Sequence, residues 1–200
     1  MSDIAILGTG RIGGALARKW SGKHRLWLGA RDPGKQEVSQ LASEVGATAA
    51  TLADAVDAAQ VVVFAMPGDA VGPAIEALGE RLDGKVVVDA ANDVRAAEAN
   101  CLAALRQAAP RAAYARAFNS IGWEMLANPV VAGQAASLFY CSSAGVQEDV
   151  EALIRDVGLE PVRVGDEDAV EVVDGVLRLW FALVMGQGHS RRLAFKLLEE

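Results

Sequence analysis

Two hundred residues, 52% of them hydrophobic and 22% charged, suit one compact domain, or one domain with an extension, and show no bias towards disorder. The net charge of −7 argues against a surface for nucleic acid or an anionic membrane, both of which call for a basic face; the acidic run between Gly145 and Asp174 reads as a solvated helix face and loop rather than a docking site for a basic partner. Cys101 and Cys141 stand alone, without a C-x-x-C or a histidine pair, so no metal ligands are assigned and both are expected to be reduced thiols of a cytoplasmic protein.

The first strand begins at Asp3 or Ile4, which leaves no room for a leader. The apolar run Ile4–Leu7 ends at Gly8, and Ile12, Leu16 and Trp20 then recur at helical spacing. Gly8-Thr9-Gly10-Arg11-Ile12-Gly13 therefore fills a strand-to-helix turn. A bare G-x-G-x-x-G is a weak signal in a glycine-rich chain, but between strand and helix it reads as a dinucleotide cradle. Gly8 permits the turn, Gly10 removes a Cβ where a pyrophosphate must approach, and Gly13 lets helix and strand pack closely. Free amides at the helix start, aligned with its dipole, then receive the phosphates.

The second strand ends Leu28-Gly29-Ala30-Arg31-Asp32. Ala30 offers no carboxylate for a ribose 2′-hydroxyl, whereas Arg31 offers a fork of donors for a 2′-phosphate, which favours NADP(H). Thr9 can add a hydroxyl to that phosphate, and Arg11 either reaches it or lies along the solvated side of its helix. A one-residue shift of register would instead make Asp32 a ribose ligand and admit NAD.

Helices over 35–45 and 52–58 flank a weak strand near Ala47. A buried strand, Val61–Met66, stops at Pro67-Gly68, and Asp69 is expected to cap a helix reaching Leu82. Strand Val86–Asp89, an alanine-rich helix over 95–108 and strand Ala113–Phe118 continue the alternation. The cadence predicts an α/β fold, a doubly wound and mostly parallel sheet. Residues 1–118 form the nucleotide-binding domain; 119–200 form a short α/β extension that completes the acceptor pocket and the dimer interface. In it, strands over 136–142 and 160–164 surround a helix over 146–157. The last long helix, Asp168 to Leu198, turns apolar on nearly every side between Val176 and Met185, so a second subunit is expected to cover it. Its apolar stretch is too short to span a bilayer.

Sites in such sheets lie beyond the carboxyl ends of the strands. Ala65, Met66, Pro67, Ala91, Asn92 and Asn119 are therefore candidate cofactor contacts beside Gly8, Thr9, Gly10, Arg11, Ile12 and Arg31, with Ile121 and Trp123 facing the substrate. Pro67 either presents a rigid face to a nicotinamide ring or simply ends its strand; Asn92 either bonds the carboxamide or caps the next helix. Asp89 reads as a structural hydrogen-bonding group. No catalytic residue is assigned: Ser120 has no evident base, His24 sits on the adenine side, and His189 is a solvated position or a pocket one. Hydride transfer between two rings needs no such group, because the cofactor carries the chemistry.

The run Ala117-Phe118-Asn119-Ser120-Ile121-Gly122-Trp123-Glu124, with Ala127-Asn128-Pro129, Gly8-Thr9-Gly10, Gly29-Ala30-Arg31 and Met185-Gly186-Gln187-Gly188, resembles the coenzyme F420-dependent NADP oxidoreductase family over nearly the whole chain. The resemblance implies a Rossmann fold and hydride exchange between NADP(H) and a second planar ring, coenzyme F420 or a flavin. It places the nicotinamide near Pro67, Asn92 and Ile121. Arg11 stands where many relatives carry asparagine, Asp93 where a proline commonly follows the matching asparagine, and Asn119 where deazaflavin-using enzymes carry histidine. The absence of any lysine between Lys85 and Lys196 argues against a hydroxyacid dehydrogenase. Reduction of a small imine, or NADP(H) sensing without turnover, stay as alternatives.

Overall fold

A computed structural model describes residues 1–200. Six strands come first: β1 (Asp3–Leu7), β2 (Arg25–Gly29), β3 (Thr48–Ala50), β4 (Val61–Phe64), β5 (Val86–Asp89) and β6 (Ala113–Arg116). All are parallel and lie in the order β3-β2-β1-β4-β5-β6. A hairpin of β7 (Val130–Val131) and β8 (Gln134–Ala135), which the sequence pattern does not suggest, stands apart. The sheet then continues with β9 (Ser137–Ser142), antiparallel to β6, and ends at β10 (Glu160–Gly165), parallel to β9. The helices are α1 (Arg11–Trp20), α2 (Gln36–Val45), α3 (Leu52–Ala58), α4 (Gly68–Leu78), α5 (Leu102–Ala108), α6 (Trp123–Ala127), α7 (Gln147–Val157) and α8 (Val170–Phe181). This is the doubly wound, mostly parallel Rossmann sheet that the alternation predicts.

The central strands are apolar at successive positions because helices cover both faces. Ile4 and Ile6 of β1 pack with Leu16, Trp20 and Leu28 on one side. Ala5 and Leu7 pack with Val56, Phe64 and Ile75 on the other. Phe118, Met125, Leu138 and Ile154 join the first of these layers, so the residues after 118 extend the same core.

Three helix boundaries differ from expectation. Helix α4 starts directly after Pro67 and ends at Leu78, a 3-10 turn carrying the chain to Leu82; Asp69 lies in its first turn and its side chain caps nothing. Helix α5 begins only at Leu102. Upstream, Asp93 Oδ1 accepts the amides of Arg95 and Ala96, and Asn100 Oδ1 accepts that of Leu102, so side chains compete for the amides a helix would use. The last helix stops at Gly186 after a π turn over Ala182–Gly186, and does not run to Leu198. The amides of Gln187 and His189 fold back onto the carbonyls of Ala182 and Leu183, Gly188 adopts φ 74°, and the chain returns to bridge Ser137 with Phe195.

Candidate functional site

The strand order reverses between β1 and β4, and the glycine turn sits at that crevice. Gly8 has φ 107°, open to glycine at no steric cost, and a Cβ there would lie 2.8 Å from the Ala65 carbonyl oxygen at the end of β4. A Cβ on Gly13 would lie 1.9 Å from the Gly8 oxygen, so only glycine lets α1 start this close to its strand. A Cβ on Gly10 would meet nothing within 4 Å. Gly10 therefore faces open space, and the amides of Thr9, Gly10, Arg11 and Ile12 find no acceptor in the chain. Open room above unpaired amides at the start of a helix fits a pyrophosphate.

Arg31 lies two residues past the end of β2, exposed, with neither a hydrogen bond nor an ion pair. Asp32 is differently placed: its Oδ1 accepts the Gly34 amide at 3.0 Å and closes a local turn. The free cation at this position is thus Arg31, and the carboxylate is partly engaged. Thr9 and Ile12 are half-buried at the cradle, with the Thr9 hydroxyl free of intramolecular partners. Arg11 is exposed and lies over the Trp123 ring, 5.8 Å from its centroid.

Loops from the next strands close the far side. Ala65 and Met66 are half-buried and Pro67 is exposed. A Cβ on Gly68 would fall 2.3 Å from the Asn92 backbone, so the β4 and β5 loops touch through that glycine. Ala91 is buried. Asn92 is held at both ends of its amide: Oδ1 accepts from Arg116 Nη2 at 2.8 Å, and Nδ2 donates to the Asn119 carbonyl at 2.8 Å. One N–H and one oxygen lone pair remain beyond those two bonds, and the side chain caps no helix, since α5 begins after Cys101. Asn119 is buried and its Oδ1 has no partner.

Phe118, which turns the chain into this loop, holds φ 63°, an outlier for a bulky side chain. Such a conformation costs of the order of 1–3 kcal/mol and persists only where its surroundings fix it. Here the ring is buried edge-on to Trp20, centroids 5.8 Å apart, and Trp20 in turn donates Nε1 to the Leu153 carbonyl at 3.1 Å.

Ile121, expected as a substrate wall, is 7% exposed and belongs to the same core cluster as Phe118 and Met125. Trp123 is half-buried with Nε1 unpartnered. Met66, Pro67 and Trp123 are left as the apolar surfaces available. The C-terminal segment straps this loop: Arg191 pairs with Glu124 at 2.8 Å and lies over Trp180, and Trp180 Nε1 donates to the Leu193 carbonyl. Burial opposes the Glu124 charge, but its own amide, Arg191 and Arg11 outweigh it and hold its pKa below the usual glutamate value. His189 is exposed. Cys101 and Cys141 are buried thiols, and burial pushes both up, Cys141 to about 11.

Several features near these loops escaped sequence reasoning: Arg116, fully buried at the end of β6, with its partner Asp174 on α8, and the strap carrying Arg191. A charge inside the apolar run Ala113–Phe118 was the one signal for Arg116. A recess of about 710 Å³, lined by Ser21, His24, Arg25, Glu44 and Gly46, lies at the amino ends of the strands, away from the cradle.

Comparison with known proteins bears on the family pattern and the fold. Residues 3–93 match the family described as NADP oxidoreductase, coenzyme F420-dependent. No curated protein matches the chain. Among solved structures, a candidate F420-dependent NADP reductase from Arthrobacter sp. FB24 is 25% identical, covers all of both chains and has a TM-score of 0.85. A hypothetical protein from Sinorhizobium meliloti is 28% identical over 83% of this chain and 86% of that one, with a TM-score of 0.67. A reductive aminase from Aspergillus terreus solved with NADPH4 shares the fold, at 20% identity over 94% of this chain and 64% of that one, TM-score 0.65. Over residues 3–93 the chain carries the pattern of the coenzyme F420-dependent NADP oxidoreductases, and it is an NADP-dependent oxidoreductase with a Rossmann fold.

Proposed function

We propose that this chain exchanges a hydride between NADP(H) and a second planar ring of the flavin or deazaflavin class, coenzyme F420 among them. The observation that carries the reading is the cradle at Gly10: free space, unpaired amides and an unengaged Arg31, all beyond the carboxyl ends of β1 and β2. The nucleotide, when bound, supplies the hydride. The chain's share is position and dryness: amides of the cradle fix the pyrophosphate, Arg31 reads the 2′-phosphate, and Met66, Pro67 and Trp123 give the ring an apolar surface that excludes water. No protonating side chain is required of an enzyme that joins two rings.

The protein works, in this reading, as a cytoplasmic homodimer. Val172, Leu179 and Met185 lie exposed along α8 and its π turn, while Val173, Leu177, Trp180 and Val184 face the body. An apolar stripe of that kind suits a self-complementary contact.

The test is NADPH consumption, followed by absorbance, against a panel of F420, FMN, FAD, a quinone, ferric citrate and a cyclic imine. Turnover with a flavin or deazaflavin supports the reading. Turnover with the imine alone moves the chain to imine reduction, and NADPH binding without turnover of any acceptor makes it a sensor.

A further inference from the structure

Arg116 has 0% exposure and sits beside Asp89 in the register of β5 and β6. Its guanidinium reaches two separate segments directly and a third through Asn92 and Asp174. On the β5 side, Nη1 lies 3.2 Å from Asp89 Oδ1 and donates to the Ala91 carbonyl, and Nη2 donates to Asn92 Oδ1 at 2.8 Å. On α8, Nε and Nη2 meet Asp174 Oδ1 at 2.9 and 2.8 Å. The β6 loop is joined indirectly: Asn92 Nδ2 donates to the Asn119 carbonyl, and Asn119 Nδ2 lies 3.4 Å from Asp174 Oδ1. Asn100 Nδ2 completes the Asp174 carboxylate at 2.9 Å, and Tyr114 and the Cys101 amide complete that of Asp89.

Stability does not explain such a group. A buried ion pair loses so much hydration that a well-packed apolar replacement is often as stable or more so. What an apolar cluster cannot do is fix two loops and a helix in one register. A planar fork with donors in several directions can, whereas a lysine, with one compact ammonium, cannot meet Asp174, Ala91 and Asn92 together. One polar atom in this network stays unsatisfied: Asn119 Oδ1, buried and without a donor. A buried acceptor left alone is costly, so a ligand donor there is favoured.

We propose that Arg116 is the positioning residue for the nicotinamide end of the site, holding the β5 and β6 loops against α8 so that Asn119 Oδ1 accepts the ring's carboxamide N–H. The inference rests on the nucleotide reading above, and its test needs no electron acceptor. Two probes bind by calorimetry: NADPH, and 2′,5′-ADP, which carries only the adenine half. In Arg116→Lys, 2′,5′-ADP affinity stays within about 3-fold of the unaltered protein. NADPH affinity falls about 10- to 30-fold, and the enhanced emission of the bound dihydronicotinamide is lost.

Should Arg116→Lys fail to melt cooperatively, Asn92→Ala decides. It cuts the link to the Asn119 carbonyl, leaves both ion pairs, and carries the same expected split. Equal weakening of both probes, or unchanged NADPH binding and emission, overturns the role of Arg116. Absence of binding of either probe to the unaltered protein overturns the nucleotide reading itself, and this inference with it.

Discussion

Arg11, in the first turn of α1, lies with its guanidinium carbon 5.8 Å from the centre of the Trp123 ring at the start of α6. The contact joins the first turn of α1 to the loop after β6, and on the proposed nucleotide reading it sets one indole beside the bound cofactor. NADPH is expected to quench tryptophan emission chiefly through Trp123, so Trp123→Phe loses most of that quenching while binding measured by calorimetry persists. Undiminished quenching would place Trp123 outside the site. Trp123→Ala also removes a cation–π contact of about 0.5–1 kcal/mol, read as a small fall in melting temperature.

Gly10 and Gly13 separate binding from folding. Gly10→Ala places a methyl group in open space and should change stability by no more than about 0.5 kcal/mol. NADPH affinity should nevertheless fall about 10- to 100-fold, because the methyl occupies ground the pyrophosphate needs. Gly13→Ala drives a Cβ into the Gly8 carbonyl and should cost about 3 kcal/mol of stability. Urea denaturation and calorimetry on both variants check the contrast.

Arg31→Ala should weaken NADPH by about 1.5–3 kcal/mol and leave NADH within a few tenths, since only the former carries a 2′-phosphate. Equal losses for the two nucleotides would show that Arg31 does not read that group.

Acid sensitivity follows from carboxylates held below their usual value. Tyr140 donates to Glu151 Oε1 at 2.7 Å and, with Gln147 and Arg155, outweighs desolvation to lower the Glu151 pKa from 4.5. Glu167 is lowered by Arg106 and Ser143 against the opposing effect of burial, and Glu124 as described. A group whose folded value is depressed contributes stability above its unfolded value and loses it as pH falls through the folded one. The protein should therefore weaken as pH drops below about 4.5. Tyr140→Phe should cost about 1–2 kcal/mol at neutral pH and less once Glu151 takes a proton, as urea titrations at the two pH values would read.

Leu179→Glu, on the outward stripe of α8, should convert a dimer of twice the chain mass to a monomer in light scattering, with NADPH binding retained. A wild-type monomer at all concentrations would remove the homodimer from the proposal.

The glycine turn from which the cradle is proposed was legible because its causes are local. Gly8, Gly10 and Gly13 act on the backbone within one turn, and Arg31 is fixed by its distance from the end of a strand whose apolar run is plain. A doubly wound, mostly parallel sheet followed from alternation, whereas the order of its strands and the antiparallel place of β9 came only with the structure. The nicotinamide end was not legible in the same way. Whether Asn92 is free or engaged depends on Arg116, 24 positions away, and on Asp174, a further 58. That Ile121 shares a core cluster with Phe118 and Met125 was likewise a matter of packing across the fold. The last helix was read too long because apolar residues return at Leu193, Phe195 and Leu197, although the chain after Gly186 folds back onto Ser137 and Glu124 instead of adding a turn. The sequence by itself determined what its backbone and short-range periodicity could enforce; only the tertiary structure decided which polar side chains remained unspent, since a hydrogen-bonding group is used up by whichever partner the fold brings to it first.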